Sequence, residues 1–255
     1  MGLNMIDLHC HILPEVDDGP RSWEASVEMC QIAMRDGITH IVATPHANHE
    51  YVYDREQHTN RLKELRERAP KSLNFSLGCD FHFSYENVED AIAHPERYAI
   101  SGTNYLLIEL SDYSIPPVMA DNIFQLSSSG LKVILTHPER NPRLQSNPQM
   151  VLTWINAGCI VQVTAGSLSG FWGKVAKKTA RWLIERDAVH VLASDAHDPL
   201  RRRPVLSEAA SIAKDWTNAD IAQVLVEGNP QAIVNGQTLP YFPSPRSKAI
   251  SAKSR

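Results

Sequence analysis

The sequence predicts an α/β fold built on parallel strands, and three observations carry that reading. Short aliphatic or β-branched runs alternate with helical stretches almost from end to end, and a crossover helix is the usual way to return a chain for parallel pairing. Hydrophobic residues make up 43% of the chain and charged residues 21%, the ordinary balance of a protein that buries a sizeable core. No apolar run approaches the roughly 20 residues that span a bilayer, and no basic-then-apolar leader opens the chain. A cytoplasmic protein without membrane insertion is expected.

Met5-Ile6-Asp7-Leu8-His9 reads as the first strand. Ser22 can cap a helix through Asp36, which Gly37 ends, and Ile38 to Ala43 is the second strand. After a polar loop, Asp54 can cap a helix to Ala69, stopped by Pro70, and Leu73 to Leu77 follows as strand three. Tyr105–Leu110, Leu131–Thr136, Cys159–Thr164 and Val189–Ala193 supply further strands, with helical patterns near 116–129, 146–157, 172–187 and 204–215. About seven βα units result. An open doubly wound sheet and a closed barrel both satisfy this pattern, but no G-x-G-x-x-G follows the first strand, which removes support for a dinucleotide-binding sheet.

No composition break divides the chain, so residues 1–240 are expected to form one domain. Residues 241–255 carry Arg246, Lys248, Lys253 and Arg255 and no acid, and read as a basic tail, disordered or loosely docked. The formal charge of −4 therefore understates the acidity of the body, which argues against a nucleic-acid partner. Cys10, Cys30, Cys79 and Cys159 are far apart and form no C-x-x-C, so reduced, buried thiols are expected.

The 11 histidines are more informative by position than by number. His9 and His11 close strand one, His46 follows strand two, Asp80 follows strand three, Glu109 ends strand four, His137 ends strand five, and Asp195 and His197 end the last. In a βα barrel such strand ends converge on the face where catalytic groups gather. In His9-x-His11 an extended backbone sends both rings to one side, and Asp195-x-His197 repeats that spacing. Imidazole with carboxylate and no clustered thiolate suits Zn, Mn or Fe. With Asp18 included, the ligand count exceeds what one ion needs, so a cluster of two or three ions is expected. The positive charge left by such a cluster suits a dianionic phosphate, and arginine beside it can bind phosphoryl oxygens bidentately. Arg140 and one of Arg201 to Arg203, chiefly Arg203, are the candidates for that catalytic role.

Six segments together resemble a known superfamily: Ile6-Asp7-Leu8-His9-Cys10-His11, Asp17-Asp18-Gly19-Pro20, Ala43-Thr44-Pro45-His46, Leu107-Ile108-Glu109, Thr136-His137-Pro138-Glu139-Arg140 and Ala193-Ser194-Asp195-Ala196-His197. They are similar to the motifs of the PHP (polymerase and histidinol phosphatase) superfamily, in particular its bacterial tyrosine-protein phosphatases of capsular and exopolysaccharide synthesis. The likeness covers about residues 5–235. It implies a distorted (β/α)7 TIM-like barrel, a manganese-dependent trinuclear centre, and hydrolysis of phosphotyrosine on a polysaccharide-synthesis kinase tail by a metal-activated hydroxide. Carried over residue by residue, it assigns His9, His11, Asp80 and Asp195 to one metal, Asp80, Glu109 and His137 to a second, and Asp18, His46 and His197 to a third. The branch has Glu where this chain has Asp80, shorter by about 1.5 Å, at the carboxylate expected to bridge two ions.

Competing chemistries lack their residues. A cysteine phosphatase needs C-x5-R, but Val16, Asp36, Tyr85 and Ala165 stand six residues after the four cysteines. H-E-x-x-H, the P-loop and G-x-S-x-G are absent as well. A histidinol-phosphate phosphatase, a phosphodiesterase, and a binding module that holds phosphate without turnover stay as alternatives. His40 and His190 lie inside strands and read as core histidines. His82, two residues from Asp80, reads as a neighbour of the ligands or of substrate, and Tyr51 and Tyr53 as a possible mouth for an aromatic group.

Overall fold

A computed structural model describes residues 4–246. Among the described residues there are nine strands: β1 (Met5–Cys10), β2 (Ile38–Ala43), β3 (His46–Ala47), β4 (Asn74–Leu77), β5 (Asp80–His82), β6 (Tyr105–Glu109), β7 (Lys132–Thr136), β8 (Ile160–Thr164) and β9 (Val191–Ala193). All pair in parallel, in a three-stranded sheet ordered β1-β2-β4 and a six-stranded sheet ordered β3-β5-β6-β7-β8-β9. The ladders thus form an α/β fold with two parallel sheets in place of one continuous closed barrel.

The extra strands come from breaks in the second and third. Thr44-Pro45 separates β2 from β3, and Gly78-Cys79 separates β4 from β5. Proline has no N–H to give the ladder. A methyl group on Gly78 would stand 3.1 Å from Val42 Cγ1 and 3.2 Å from Ile100 Cγ1, so the backbone approaches its neighbours closely there. The sheets still touch across the breaks: Gly78 N–H donates to Ala43 O (2.8 Å) and Asp80 N–H to Pro45 O (3.1 Å). At the other side, Asp195 N–H donates to His9 O and His11 N–H to Ala196 O, both at 2.8 Å, beside a bridge between Cys10 and Ala196.

Helices start where capping predicts. Ser22 Oγ accepts from Ala25 N–H, and Gly37 ends that helix (Trp23–Asp36) at φ 95°; Asp54 caps Arg55–Arg68 by accepting from Gln57 N–H. The pattern expected near 146–157 splits into Pro142–Ser146 and Gln149–Asn156. A helix at Tyr85–Ala93 leads into His94, one at Ala219–Gln223 is additional, and a π-helical turn at Val224–Gly228 runs into Asn229–Val234, where Pro230 withholds an N–H.

Ile6, Leu8, Val42, Leu107, Ile134, Ile160 and Val191, from six strands, meet in one small buried cluster with Tyr105. A larger cluster packs the opposite strand faces against the helices and holds Cys10, Cys30, Cys79 and Cys159, all buried and free. The described start of the basic tail lies on this body: Arg246 N–H donates to Arg186 O (2.8 Å), and the Phe242 ring stacks on His190 at 4.5 Å. Residues 247–255 lie outside the described residues. No described helix is long and apolar enough to cross a membrane.

Candidate metal centre

The predicted ligands converge. His9 sits on β1 with its Nδ1 at 3.0 Å from Gln162 Oε1. A carbonyl oxygen can only accept, so Nδ1 carries a proton and Nε2 is the nitrogen left to face a metal. That Nε2 lies 3.5 Å from Asp80 Oδ2, 3.4 Å from Asp195 Oδ1 and 3.2 Å from His11 Nε2. His11 is fixed in the same way, its Nδ1 2.8 Å from Asp17 Oδ2. His46, opening β3, puts Nδ1 3.3 Å from Asp80 Oδ2 and Nε2 3.4 Å from Asp18 Oδ1. His197 Nε2 is 3.2 Å from Asp18 Oδ1, and His137 Nε2 is 3.5 Å from Glu109 Oε1.

These contacts form three groups able to hold an ion: His9, His11 and Asp80; His11, Asp18, His46 and His197; and His46, Asp80 and Glu109. The groups differ from the expected partition in three ways: Asp195 is not in the group of His9, His11 and Asp80, His11 also faces the third group, and His46 takes the place beside Asp80 and Glu109 where His137 was expected. Asp80 stands between groups despite its short side chain, and neither of its buried carboxylate oxygens has a hydrogen-bond partner. Unpartnered oxygens at the centre of a ring of imidazoles are what a cation would satisfy, so the residues fit a divalent cluster.

The electrostatics agree. Burial opposes charge on His9, yet the carboxylates of Asp80 and Asp195 outweigh it and push its pKa up to about 9. Burial also opposes charge on His46, but Asp18, Asp80 and Glu109 raise it to about 10. His11 moves the other way, to about 4, under burial and the neighbouring His197. Burial tends to raise Asp80 and Asp195, but His9 leads the cationic partners that hold both below the usual carboxylate range. The carboxylates thus demand positive charge at their centre, which a bound cation supplies in place of protons.

Two backbone positions aim candidate ligands. His137 has φ 33° and Asp195 φ 51°, in the left-handed region that costs a non-glycine residue energy. Gly19 is required for a different reason: a Cβ there would stand 2.7 Å from His11 O. Its N–H donates to Asp17 Oδ1 (2.9 Å), and His46 N–H donates to Asp17 Oδ2 (3.1 Å), so Asp17 ties the loop carrying Asp18 to two ligands.

Beside the cluster, Asp195 Oδ2 accepts from Arg140 Nη1 and from Arg202 Nη2, the latter at 2.8 Å. Arg202 Nη1 also lies 3.9 Å from Asp18 Oδ2. The guanidinium that reaches the cluster from the 201–203 turn is therefore Arg202. Arg203, the residue singled out from sequence, is exposed and lines a neighbouring cavity of about 190 Å³. The turn folds so that Asp198 takes the N–H groups of Leu200, Arg201 and Arg202, which sends the middle side chain inward. A cleft of about 460 Å³ opens above Glu109 and His137, with Arg140 and Trp172 on one wall and Tyr113, 87% exposed, at its rim.

The model of a protein family described as capsular polysaccharide synthesis, CpsB/CapC, matches residues 5–235. The chain belongs to the CpsB/CapC family. It is 33% identical over 240 residues to the tyrosine-protein phosphatase YwqE of Bacillus subtilis, covering 92% of this chain and 93% of that protein. It is 34% identical over 206 residues to a putative tyrosine-protein phosphatase, CapC, of Staphylococcus aureus, covering 79% and 80%. Crystal structures described as YwqE from Bacillus subtilis and CpsB from Streptococcus pneumoniae, unique metal-dependent tyrosine phosphatases, include a match at TM-score 0.86 and 31% identity, over 97% of this chain and 100% of that one.

Several residues of this CpsB/CapC chain escaped the sequence reading. Asp17 was noted only as part of a motif, and Gln162 and Trp172 carried no signal, because their partners lie far away in sequence. His82 does approach a ligand, its Nδ1 3.9 Å from Glu109 Oε2. Tyr51 stacks on His46 at 5.8 Å, whereas Tyr53 is buried and donates its hydroxyl to Gly78 O (2.9 Å). His190 is a core residue whose Nδ1 accepts from Val161 N–H (3.0 Å).

Proposed function

We propose that this chain is a metal-dependent protein-tyrosine phosphatase that hydrolyses phosphotyrosine monoesters on a tail or peptide of a polysaccharide-synthesis kinase. The observation that carries the reading is the unpartnered Asp80 carboxylate among three ligand groups, with two guanidiniums at their edge and a cleft above. The relatives' names as tyrosine phosphatases support it. In this reading His9, His11, Asp18, His46, Asp80, Glu109, His137, Asp195 and His197 hold two or three divalent ions, manganese foremost. Residues 1–240 act as one domain in the cytoplasm, where buried thiols stay reduced. We also read the two sheets as one distorted seven-stranded barrel, β2 and β4 being continued by β3 and β5, with the small cluster around Leu107 and Ile134 as its interior.

A bound divalent cluster supplies positive charge against phosphoryl oxygens and acidifies water at neutral pH. The chain's own residues do the rest. Arg140 and Arg202 present N–H groups to the phosphoryl oxygens, while Asp195 anchors both guanidiniums at the edge of the cluster. Gln162 and Asp17 fix the tautomers of His9 and His11, so their Nε2 atoms stay free. Tyr113 at the rim offers an aromatic face to a tyrosyl ring.

The test is phosphate release by manganese-reconstituted protein from a tyrosine-phosphorylated peptide and from histidinol phosphate in parallel, with His9→Ala as the blank. Preference for the peptide is expected. Preference for histidinol phosphate, or no release from either, would overturn the reading.

A further inference from the structure

Trp172 lies outside the ligand set and on no strand end. The Arg140 guanidinium carbon stands 3.9 Å from the centroid of its indole and that of Arg202 stands 5.1 Å from it. Both distances fall within the range at which a cation is attracted to an aromatic ring, and tryptophan is the strongest such partner. These are the same two guanidiniums that converge on Asp195 Oδ2. They come from separate loops, one after β7 and one after β9, so nothing in local sequence keeps them together.

The indole is itself held tightly. Gly170 at φ 99° and Gly173 at φ 90° bracket Phe171-Trp172, and Phe171 N–H donates to Gly166 O (2.9 Å). A Cβ on Gly166 would stand 3.3 Å from Trp172 Nε1, so the indole edge lies against bare backbone. Trp172 forms part of the wall between the 460 Å³ cleft and the 190 Å³ cavity. Arg140 uses a single nitrogen on Asp195, and no described hydrogen bond engages the remaining N–H groups of its guanidinium, while Arg202 Nε is buried without a partner.

We infer that Trp172 is a positioning residue whose indole holds Arg140 and Arg202 together as one clamp for the phosphoryl oxygens of the substrate. Asp195 fixes where the two guanidiniums meet, and the indole fixes their planes. A planar fork matches phosphate oxygens only when its plane is set. Without the indole, each side chain regains rotamer freedom that phosphate binding must remove. The clamp binds the phosphoryl group in ground state and transition state alike, so its loss falls on KM more than on kcat. This inference rests on the phosphatase reading for its substrate, but its test does not need turnover.

The experiment is calorimetric titration of inorganic phosphate into manganese-loaded wild type, Trp172→Phe and Trp172→Leu, with metal content measured on each. Phenylalanine keeps an aromatic face, and leucine fills space without one. The expected result is about tenfold weaker phosphate binding for Trp172→Leu and within about threefold of wild type for Trp172→Phe, at equal metal content. On the phosphotyrosyl peptide, KM for Trp172→Leu should rise by a similar factor with kcat little changed. Equal weakening in both variants, or loss of metal in both, would show packing alone and overturn the inference. Unchanged binding in Trp172→Leu would overturn it while leaving the phosphatase reading intact. Wild-type protein that turns over the peptide but binds no phosphate would also overturn it; failure of both would bring down the phosphatase reading too.

Discussion

At the scale of single residues, the site depends on which nitrogen of each imidazole is occupied. Gln162 takes Nδ1 of His9 and Asp17 takes Nδ1 of His11, which leaves both Nε2 atoms turned toward Asp80. Replacing Asp17 by Asn removes the charge behind His11, and metal affinity is expected to fall about 10- to 100-fold while the fold persists. Chelator competition on the purified variant measures this. Replacing His9 by Ala should abolish metal binding and turnover together and leave the protein folded, since His9 belongs to neither hydrophobic cluster; near-wild-type turnover would contradict the assignment. Asp80→Glu is expected to keep or raise turnover, because the longer side chain extends the reach of a carboxylate proposed to bridge two ions. A severe loss would show that the strand end has adapted to Asp. His190 gives a prediction away from the site. Burial depresses its pKa from 6.5 to about 3, and its Nδ1 must stay unprotonated to accept from Val161 N–H. Between those values the unfolded chain takes up a proton that the folded chain refuses, so this contribution to stability is full above pH 6.5 and lost as pH falls. Its slope approaches about 1.4 kcal/mol per pH unit. Denaturant unfolding between pH 4 and 7 should show a smaller slope in His190→Gln.

At the scale of elements, the aliphatic runs were legible and their interruptions were not. Each predicted run from Met5 to Ala193 contains a strand, because buried parallel strands read as short apolar stretches. The breaks at Pro45 and Gly78 escaped notice because each looks like the end of a strand, and only the paired register shows β3 and β5 resuming beyond them. Those resumptions place His46 opposite Asp80. The Gly78 break is tightly packed, so Gly78→Ala should destabilise by about 1–3 kcal/mol through overpacking against Val42 and Ile100. Chemical denaturation checks the value. The helix after Asn218 escaped notice because five residues are too few to show an apolar period.

For the whole molecule, the residues that converge were legible because strand ends meet on one face and a His or Asp there is conspicuous in an apolar run. The residues that support them were not, since Gln162 reaches His9 across 153 positions and Trp172 meets arginines from two other loops. Arg202 illustrates the same limit: three consecutive arginines look alike in sequence, and only the Asp198 turn selects one. In the proposed function, these strand ends form one multinuclear centre on which phosphotyrosine hydrolysis depends. It is tested most directly by stripping the protein with chelator and titrating manganese back while following phosphate release from a phosphotyrosyl peptide. Activity should be absent in the stripped protein and rise to a plateau at two to three equivalents per chain. Full activity without metal, or a plateau at a single equivalent, would contradict it.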